Sequence, residues 1–433
     1  MIWNEKFECM PAGELKQLQG ERLKKLLPYI YNNCKAYKDK LDKAGIKPDA
    51  IRSIDDIKKL PFTTKVDMRD NYPYGLFCTD QKNIVEIHVS SGTTGNPTLV
   101  GYTRDDIKLW SEVMARTIAC AGAEPSDTIQ IAYGYGLFTG GLGFHYGALE
   151  MGLRIIPVSA GQTSRQLKIM QDFAPKILGC TPSYALYMAE EAREMGIDPK
   201  KGNWKIGIFG AEPWSEQMRT EIEEAWNMLA TDVYGLSEII GPGVAQECPN
   251  KKGLHIYSDV FYPEIINPNT GEPVKEGEDG ELVITTLTKQ AIPFIRYRTR
   301  DIVSINYEKC RCGRTSPRIS KIRGRTDDMI IVRGINVFPS QIEHVLLGIE
   351  GTEPYYQIVV DRQKHQLDEV EVLVEVNRKM FSDEVKQLEH LRAKIKKEIE
   401  SVLSIGVKVT LVEPKTIERS MGKAKRVIDK RQM

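Results

Sequence analysis

The sequence predicts an α/β protein with two domains: a large N-terminal domain with mixed sheets and a β subdomain, and a small α+β C-terminal domain. The chain has 433 residues, more than one hydrophobic core usually serves. Short apolar runs alternate with helical segments between residues 129 and 209, which is typical of a domain with a parallel sheet. The residue pattern then changes near residue 255 and again near residue 325, and each change indicates a new region.

Helices are predicted first along the chain. Apolar residues recur at helical spacing between Leu15 and Ala44, so we expect amphipathic helices there. Two β-like segments follow, Ile84–Val89 and Thr98–Thr103. The Ser/Thr/Gly run between them predicts a hairpin loop.

Four apolar runs predict the parallel strands of the N-terminal domain. They begin at Ile129, Ile155, Ile177 and Ile206. Because ligand sites in such sheets lie at the carboxyl ends of the strands, we expect binding residues there. The stretch His255–Val303 is β-like and punctuated by Gly, Glu and Pro, which predicts the small β subdomain.

A domain boundary is predicted near Arg323–Asp328. The N-terminal domain then covers residues 1–325 and the C-terminal domain residues 326–433. Beyond the boundary the predicted order is strand, helix, two strands, helix and strand, which is a compact α+β arrangement.

Composition and charge exclude several classes of function. Sixty basic and 59 acidic residues give a net charge of +1, so no overall field favours nucleic acid or an anionic membrane. The N-terminus lacks the apolar region of a signal peptide, and no apolar run is long enough for a transmembrane helix. Eight scattered cysteines do not form a disulfide framework, so we expect a cytoplasmic enzyme.

The hairpin loop is the sharpest local motif. It contains a dense set of O–H and N–H donors suited to a polyphosphate, and its glycines let the backbone approach a ligand closely. Its central residues are Ser90, Ser91, Gly92, Thr93, Thr94 and Gly95. No Gly-Lys-Ser/Thr follows the glycines, so the loop is not a P-loop; taken alone, it could also be a flexible hairpin.

Six motifs in order along the chain resemble those of the adenylate-forming superfamily of acyl-CoA synthetases, adenylation domains and luciferases. They are the phosphate loop at Ser90–Thr98, the adenine loop at Gly210–Pro213, Tyr234–Glu238, the ribose motif at Tyr297–Asp301, the hinge at Gly324–Asp328, and Gly422–Lys423. Within this superfamily the segments Tyr133–Gly141, Ala211–Trp214 and Val337–Glu343 resemble the phenylacetate–CoA ligases.

The resemblance implies an ATP-dependent aryl-acid–CoA ligase. It would convert acid, ATP and coenzyme A into acyl-CoA, AMP and diphosphate through an acyl-adenylate. Two alternatives stay open at this point: a nucleotidyltransferase of the deazaflavin-adenylylating type, and a non-catalytic nucleotide-binding protein. The presence of Lys423, Glu238 and Asp301 speaks against the second.

The resemblance also implies the nucleotide-binding residues. Glu238 would bind Mg²⁺, as carboxylates do beside substrate phosphates, and Asp301 would accept the ribose hydroxyls. Arg325 would meet ribose or phosphate. The adenine would contact the two loops that contain Ala211, Glu212, Pro213, Tyr234, Gly235 and Ser237. Packing is the alternative for Tyr234 and Glu212, and a turn or cap is the alternative for Asp301.

Lys423 is the residue that the resemblance implies for the first half-reaction. Attack of a carboxylate on the α-phosphate brings two anions together, and a lysine that bridges them stabilises that state. The small domain would then swing about Asp327, a movement of the kind that often governs turnover, and Gly334 would leave room for the pantetheine arm of coenzyme A. A solvated basic tail is the alternative interpretation of Lys423.

The acid pocket is expected in the segment Tyr133–Gly143, which combines aromatic residues with glycines. Aromatic side chains around a glycine floor suit a flat aryl ring, so an arylacetic acid is favoured over a fatty acid. The candidates are Tyr133, Phe138, Gly140, Gly141 and Ala211. Core packing is the competing interpretation for Tyr133 and Phe138.

Four residues could hold a structural zinc ion. Cys310 and Cys312 stand in one tight turn, and Cys248 and His255 lie upstream. Three cysteines and one histidine complete a tetrahedral Zn²⁺ site, although free thiols remain the alternative.

Two positions depart from the superfamily pattern. Asn96 stands where the superfamily usually has lysine, which removes one positive charge near the pyrophosphate. Arg300 replaces the usual glycine before Asp301. The short N-terminal region before the phosphate loop favours a homodimer.

Overall fold

The computed structural model describes residues 1–90, 98–326, 330–332, 335–337, 339–362, 368–377, 385–403, 405–418 and 426–431. They form two compact units. The first unit comprises Met1–Cys180, Lys201–Ala211 and Met228–Lys321. The second comprises Thr181–Lys200, Glu212–Asn227 and Ile322–Met433, so two segments from the middle of the chain group with its C-terminal part.

Seven α-helices are described in the first unit. They are α1 (Glu5–Glu8), α2 (Ala12–Asn33), α3 (Lys35–Lys43), α4 (Lys65–Asp70), α5 (Arg104–Cys120), α6 (Thr139–Met151) and α7 (Thr163–Phe173). The amphipathic helices predicted near the N-terminus are confirmed as α2 and α3. The start of α5 shows how the sequence sets a boundary: Thr103 Oγ1 accepts the Asp106 N–H at 3.1 Å, and Asp106 Oδ2 accepts the Thr103 N–H at 2.9 Å.

A nine-stranded sheet is the centre of the first unit. Its spatial order is β13-β14-β9-β8-β7-β6-β5-β3-β4. The strands are β3 (Thr128–Ile131), β4 (Arg154–Ile156), β5 (Ile177–Cys180), β6 (Ile206–Gly210), β7 (Leu229–Leu236), β8 (Gly241–Glu247), β9 (Leu254–Ile256), β13 (Ile305–Asn306) and β14 (Arg318–Ile319). Strands β3 to β7 pair in parallel, and β3 to β6 correspond to the four predicted strands. The rest of the sheet is antiparallel.

Two smaller β arrangements complete the first unit. Strands β1 (Ile84–Ser90) and β2 (Thr98–Thr103) form the predicted antiparallel hairpin, with Ser90 opposite Thr98. Strands β10 (Phe261–Ile266), β11 (Gly280–Thr286) and β12 (Tyr297–Val303) are successive antiparallel neighbours and form the predicted β subdomain. The expectation that this subdomain begins at His255 was wrong, because β9 pairs with β8 in the central sheet.

The second unit contains an α+β module. Its elements are α8 (Pro182–Glu194), α9 (Glu216–Trp226), β15 (Gly324–Arg325), β16 (Ile330–Val332), β17 (Ile335–Val337), α10 (Pro339–Leu347), β18 (Thr352–Asp361), β19 (Glu369–Val376), α11 (Val385–Leu403), β20 (Lys408–Val412) and β21 (Val427–Asp429). Alternate residues of β18 and β19 pack against apolar residues of α10 and α11. In the described part of the chain, no helix is long and apolar enough to cross a membrane.

Candidate functional site

Two of the predicted nucleotide-binding residues, Tyr234 and Asp301, lie together in the first unit. The hydroxyl of Tyr234, in β7, donates to Asp301 Oδ2, in β12, at 2.6 Å, and Asp301 is almost fully buried. The Asp301 N–H also donates to Thr299 Oγ1 at 3.1 Å. Two motifs that are 67 residues apart therefore form one rigid polar site.

Glu238, the predicted Mg²⁺ ligand, follows Tyr234 at the end of β7 and is held from two sides. Its Oε1 lies 3.8 Å from the Lys65 ammonium, and its side chain keeps 11% of its surface exposed. Lys289 donates to the main-chain oxygens of Glu238 and Ile239 at 3.2 and 2.8 Å. Burial lowers the pKa of the Lys289 ammonium to about 8. Neither lysine could be assigned from a local motif.

The end of β7 requires glycine at one position. The pairing of β7 with β8 is irregular between Tyr234 and Gly235, and a Cβ atom at Gly235 would lie 2.0 Å from the Gly241 oxygen. The next turn reaches the predicted acid-binding segment, because Ser237 Oγ and Thr139 Oγ1 lie 3.3 Å apart. The nucleotide motif and the acid segment are thus joined directly.

The acid segment combines a buried and an exposed aromatic residue. Tyr133 is buried, stacks on Phe144 with ring centroids 5.0 Å apart, and donates to the Ile208 oxygen at 3.3 Å. Phe138 is 44% exposed and can contact a ligand. The glycines let the segment fold on itself: a Cβ at Gly140 would lie 2.4 Å from the Phe138 ring, and one at Gly141 2.7 Å from the Gly134 oxygen.

A polar clamp, which we define as Glu86, His88 and Tyr146, connects β1 to the acid segment. His88 Nδ1 lies 2.9 Å from the Leu137 oxygen, and His88 Nε2 lies 2.6 Å from Glu86 Oε1. The hydroxyl of Tyr146, in α6, donates to the other Glu86 oxygen. Each ring nitrogen of His88 thus has an oxygen partner, one in the acid segment and one within β1.

Two residues of the predicted motifs have left-handed backbone angles. Ala211 has φ of 69° and Arg300 has φ of 71°. The angle at Arg300 explains why glycine is usual before the ribose aspartate, since a side chain there costs conformational energy. Such strain persists where the surroundings impose it, and it clusters at binding sites.

The predicted residues of the second unit have their own contacts. Glu212 Oε1 accepts the Ser183 N–H at 2.8 Å, so this carboxylate caps the beginning of α8. Pro213 follows it on the surface, and Arg325 lies in β15. These contacts support a capping role for Glu212; its contact with the adenine stays a prediction.

Several predicted site residues lie outside the described residues. They are Ser91, Gly92, Thr93, Thr94, Gly95, Asp327, Gly334 and Lys423. Ser90 ends β1, and only its backbone is described. Their roles therefore stay predictions from the sequence.

The four predicted zinc ligands are brought together in the first unit. The ligand atoms of Cys248, His255, Cys310 and Cys312 all lie within 4.8 Å of one another. The Sγ atoms of Cys248 and Cys310 are 3.8 Å apart, and Cys312 Sγ lies 3.4 Å from His255 Nε2. Tetrahedral zinc with usual bond lengths requires separations of about 3.8 Å between sulfurs and about 3.6 Å between sulfur and nitrogen.

The surroundings of the cluster also suit a metal. His255 Nδ1 lies 3.3 Å from Ser316 Oγ, which orients the ring and leaves Nε2 facing the thiols. Hydrogen bonds from Cys248 and then His255 lower the pKa of the Cys312 thiol, which favours the thiolate that a metal binds. The residues fit a Cys₃His zinc site.

Comparison with known families identifies two regions of the chain. The profile of the family described as AMP-binding enzyme matches residues 35–288. The profile described as AMP-binding enzyme C-terminal domain matches residues 334–431. The first match alone covers more than half of the sequence.

Full-length relatives share almost half of their residues with this chain. Phenylacetate-coenzyme A ligase of Thermus thermophilus is 47% identical over 100% of both chains. The Escherichia coli protein of the same name is 46% identical over 100% of this chain and 99% of its own. A solved 2-hydroxyisobutyryl-CoA ligase, in complex with an acyl-AMP in the postadenylation state, has a TM-score of 0.93 at 29% identity over 99% of this chain and 92% of its own.

Proposed function

This chain belongs to the phenylacetate–coenzyme A ligase family of AMP-binding enzymes, and we propose that its substrate is phenylacetate or a close aryl relative. The reaction consumes acid, ATP and coenzyme A and yields acyl-CoA, AMP and diphosphate. The observation that carries the choice of acid is the 47% identity to a phenylacetate-coenzyme A ligase over the whole chain. The exposed Phe138 ring beside a glycine floor supports an aryl ligand.

We propose that the site residues act as the motifs imply. Asp301, with one oxygen already bound to Tyr234, would accept the ribose hydroxyls. Glu238 would bind Mg²⁺ beside the phosphates, a setting in which one or two carboxylates are usual. Lys423 would bridge the carboxylate and the α-phosphate, and the C-terminal domain, proposed as residues 326–433, would present Gly334 to coenzyme A in the second step.

The half-reactions can be tested separately. We expect Lys423→Ala to lose acid-dependent exchange of pyrophosphate into ATP, because the charge that stabilises the attacking state is gone. The variant should keep the formation of thioester from supplied phenylacetyl-AMP and coenzyme A. Lys430→Ala, which removes an exposed lysine of the same basic segment, is the matched control.

A panel of acids tests the proposed substrate. Phenylacetate should support CoA-dependent AMP release far better than a fatty acid of similar mass. If no aryl acid supports AMP release in the presence of ATP and coenzyme A, the proposal fails. Transfer of AMP to a hydroxyl compound without coenzyme A would support the nucleotidyltransferase alternative instead.

We propose that Cys248, His255, Cys310 and Cys312 hold a structural Zn²⁺. The ligand separations and the Ser316 contact support it. Protein purified without added metal should contain about one zinc per chain, and Cys312→Ser should lose the zinc and lower the melting temperature. Cys9→Ser removes a thiol outside the four and is the control; equal zinc content in all three proteins would refute the site.

We further propose a cytoplasmic homodimer, because the scattered cysteines favour the cytoplasm and the short region before the phosphate loop favours a dimer. Sedimentation of the purified protein at several concentrations would test the dimer. A single species with the mass of one chain at all concentrations would exclude it.

A further inference from the structure

Lys65 is a charged residue that no motif in the sequence explains. Its ammonium lies 3.8 Å from Glu238 Oε1, the predicted Mg²⁺ ligand, and its side chain keeps 40% of its surface exposed. Glu238 is far less exposed, at 11% of its side chain. The ammonium is therefore the more accessible member of this pair.

The backbone before Lys65 is fixed to the strand that contains Asp301. The Thr63 N–H donates to the Arg296 oxygen at 3.1 Å, and the Thr63 oxygen accepts the Arg298 N–H at 2.9 Å. Thr63 Oγ1 also donates to the Ile295 oxygen at 2.7 Å. Thr63 thus pairs in parallel with Tyr297, four residues before Asp301. Lys65 is attached to the nucleotide site through regular hydrogen bonds and not through a free loop.

The phosphate loop of this sequence lacks one positive charge that is usual in the superfamily. Asn96 stands where the superfamily usually has lysine near the pyrophosphate. The leaving pyrophosphate carries several negative charges, and a single Mg²⁺ neutralises only two of them. A second cation beside the pyrophosphate stabilises both the bound nucleotide and the charge that develops on the leaving group.

We propose that Lys65 binds the β- or γ-phosphate of ATP and supplies the charge that Asn96 does not. In the reaction the acid oxygen bonds to the α-phosphorus, the bond from that phosphorus to the bridging oxygen breaks, and the electron pair leaves with the pyrophosphate. Lys65 would donate a hydrogen bond to this pyrophosphate. In this structure Lys65 pairs with Glu238. Glu238 would hold Mg²⁺ when the nucleotide is bound, and the Lys65 ammonium would then be available to the phosphate. This assignment rests on the proposed adenylating function.

Nucleotide binding by calorimetry tests the proposal without any acid substrate. Lys65→Met should raise the Kd for Mg·ATP by about tenfold to a hundredfold, because a hydrogen bond between charged groups is lost. The Kd for AMP, which has no pyrophosphate, should not change. Lys65→Arg should keep most of the affinity for Mg·ATP. Lys82→Met is the matched control, since Lys82 is an exposed lysine paired with Asp80.

A compensating double variant sharpens the test. Asn96→Lys in the Lys65→Met background should recover most of the lost affinity for Mg·ATP, because the sequence resemblance implies that residue 96 contacts the pyrophosphate and the variant restores one positive charge. An unchanged Kd for Mg·ATP in Lys65→Met overturns the proposal. Equal weakening of AMP and ATP overturns it as well, since Lys65 would then only place Glu238. If the wild type activates no aryl acid, the proposed function fails. The nucleotide-binding measurements need no acid substrate, so the two failures can be told apart.

Discussion

The single residue pair Tyr234–Asp301 shows how the site is ordered before any ligand binds. The Tyr234 hydroxyl donates to Asp301 Oδ2 at 2.6 Å, so the proposed ribose-binding carboxylate already has a hydrogen-bond partner. A buried carboxylate that loses such a partner is destabilised and free to rotate. Loss of the Tyr234–Asp301 hydrogen bond should therefore weaken the binding of every ligand that contains the ribose.

We expect Tyr234→Phe to weaken ATP and AMP equally, by about tenfold, since about 1.5 kcal/mol is typical of one hydrogen bond to a charged group. Calorimetry with both nucleotides measures the effect. Tyr307→Phe, at an exposed tyrosine, is the control. Unchanged affinity for both nucleotides would mean that the hydroxyl does not position Asp301.

Lys289 provides a prediction about pH. Burial lowers its pKa in the folded state to about 8 from an ordinary value of 10.5. Below pH 8 the Lys289 side chain is protonated in both the folded and the unfolded protein, so folding bears the full cost of burying the ammonium. Between pH 8 and 10.5 it stays protonated only in the unfolded protein. The free energy of unfolding should therefore rise over this range through this group, by at most about 3 kcal/mol.

Denaturant unfolding of the wild type and Lys289→Met between pH 7 and 10 isolates this contribution. The difference between the two free energies should increase in favour of the wild type as the pH rises. Comparing the proteins cancels the titration of other groups. A difference that is independent of pH would show that Lys289 keeps its ordinary pKa.

At the scale of elements, the polar clamp determines how the acid segment lies against β1. Strand β1 contacts the acid segment at the Leu137 oxygen and helix α6, in which this segment ends, at the Tyr146 hydroxyl. Packing supports the clamp, because the His88 ring meets the rings of Tyr102 and Trp110 edge-on at 5.7 and 5.8 Å. The clamp should therefore influence the acid more than the nucleotide.

We expect His88→Ala to raise the KM for phenylacetate about tenfold while the Kd for AMP changes little. The variant removes one hydrogen-bond partner from Glu86 and one from the Leu137 oxygen. Steady-state kinetics at saturating ATP measure the KM. Tyr146→Phe, which removes only the second partner of Glu86, should have a smaller effect. Equal losses of acid and nucleotide affinity would indicate general disruption of the hairpin.

At the scale of the whole molecule, a buried ion pair connects a residue near the beginning of the first unit to one near its end. Arg314 Nε donates to Glu8 Oε2 at 2.5 Å, and both side chains are almost fully buried. Glu8 Oε1 also accepts the N–H groups of Trp3 and Asn4 at 2.8 and 2.7 Å. The N-terminal residues are thus fixed to the turn that contains Cys312.

We expect Glu8→Gln to lower the free energy of unfolding by about 3 to 5 kcal/mol, because it leaves a buried guanidinium without its counter-charge. Denaturant unfolding followed by fluorescence gives the value. Glu5→Gln, at an exposed carboxylate in the same helix, should be nearly neutral. A neutral Glu8→Gln would mean that water reaches Arg314.

The sequence predicted the fold class, the hairpin, the parallel strands and the clustering of three cysteines with one histidine, because local periodicity, turn residues and ligand chemistry are visible in short segments. It could not predict that Lys65 faces Glu238 or that Tyr234 meets Asp301, since these contacts join segments that are 173 and 67 residues apart and depend on sheet order. The same holds for His88 and Leu137. The predicted beginning of the β subdomain, His255, was wrong because the sequence pattern of β9 does not reveal whether this strand belongs to the central sheet or to the subdomain.

The Cys₃His cluster has a practical consequence for anyone who produces this enzyme. If the four ligands hold zinc, cells grown in a medium depleted of trace elements would make two populations of the same chain, one loaded and one empty. The empty fraction would be the first to precipitate on warming. Differences in yield between batches would then follow the supply of a nutrient that takes no part in the reaction itself.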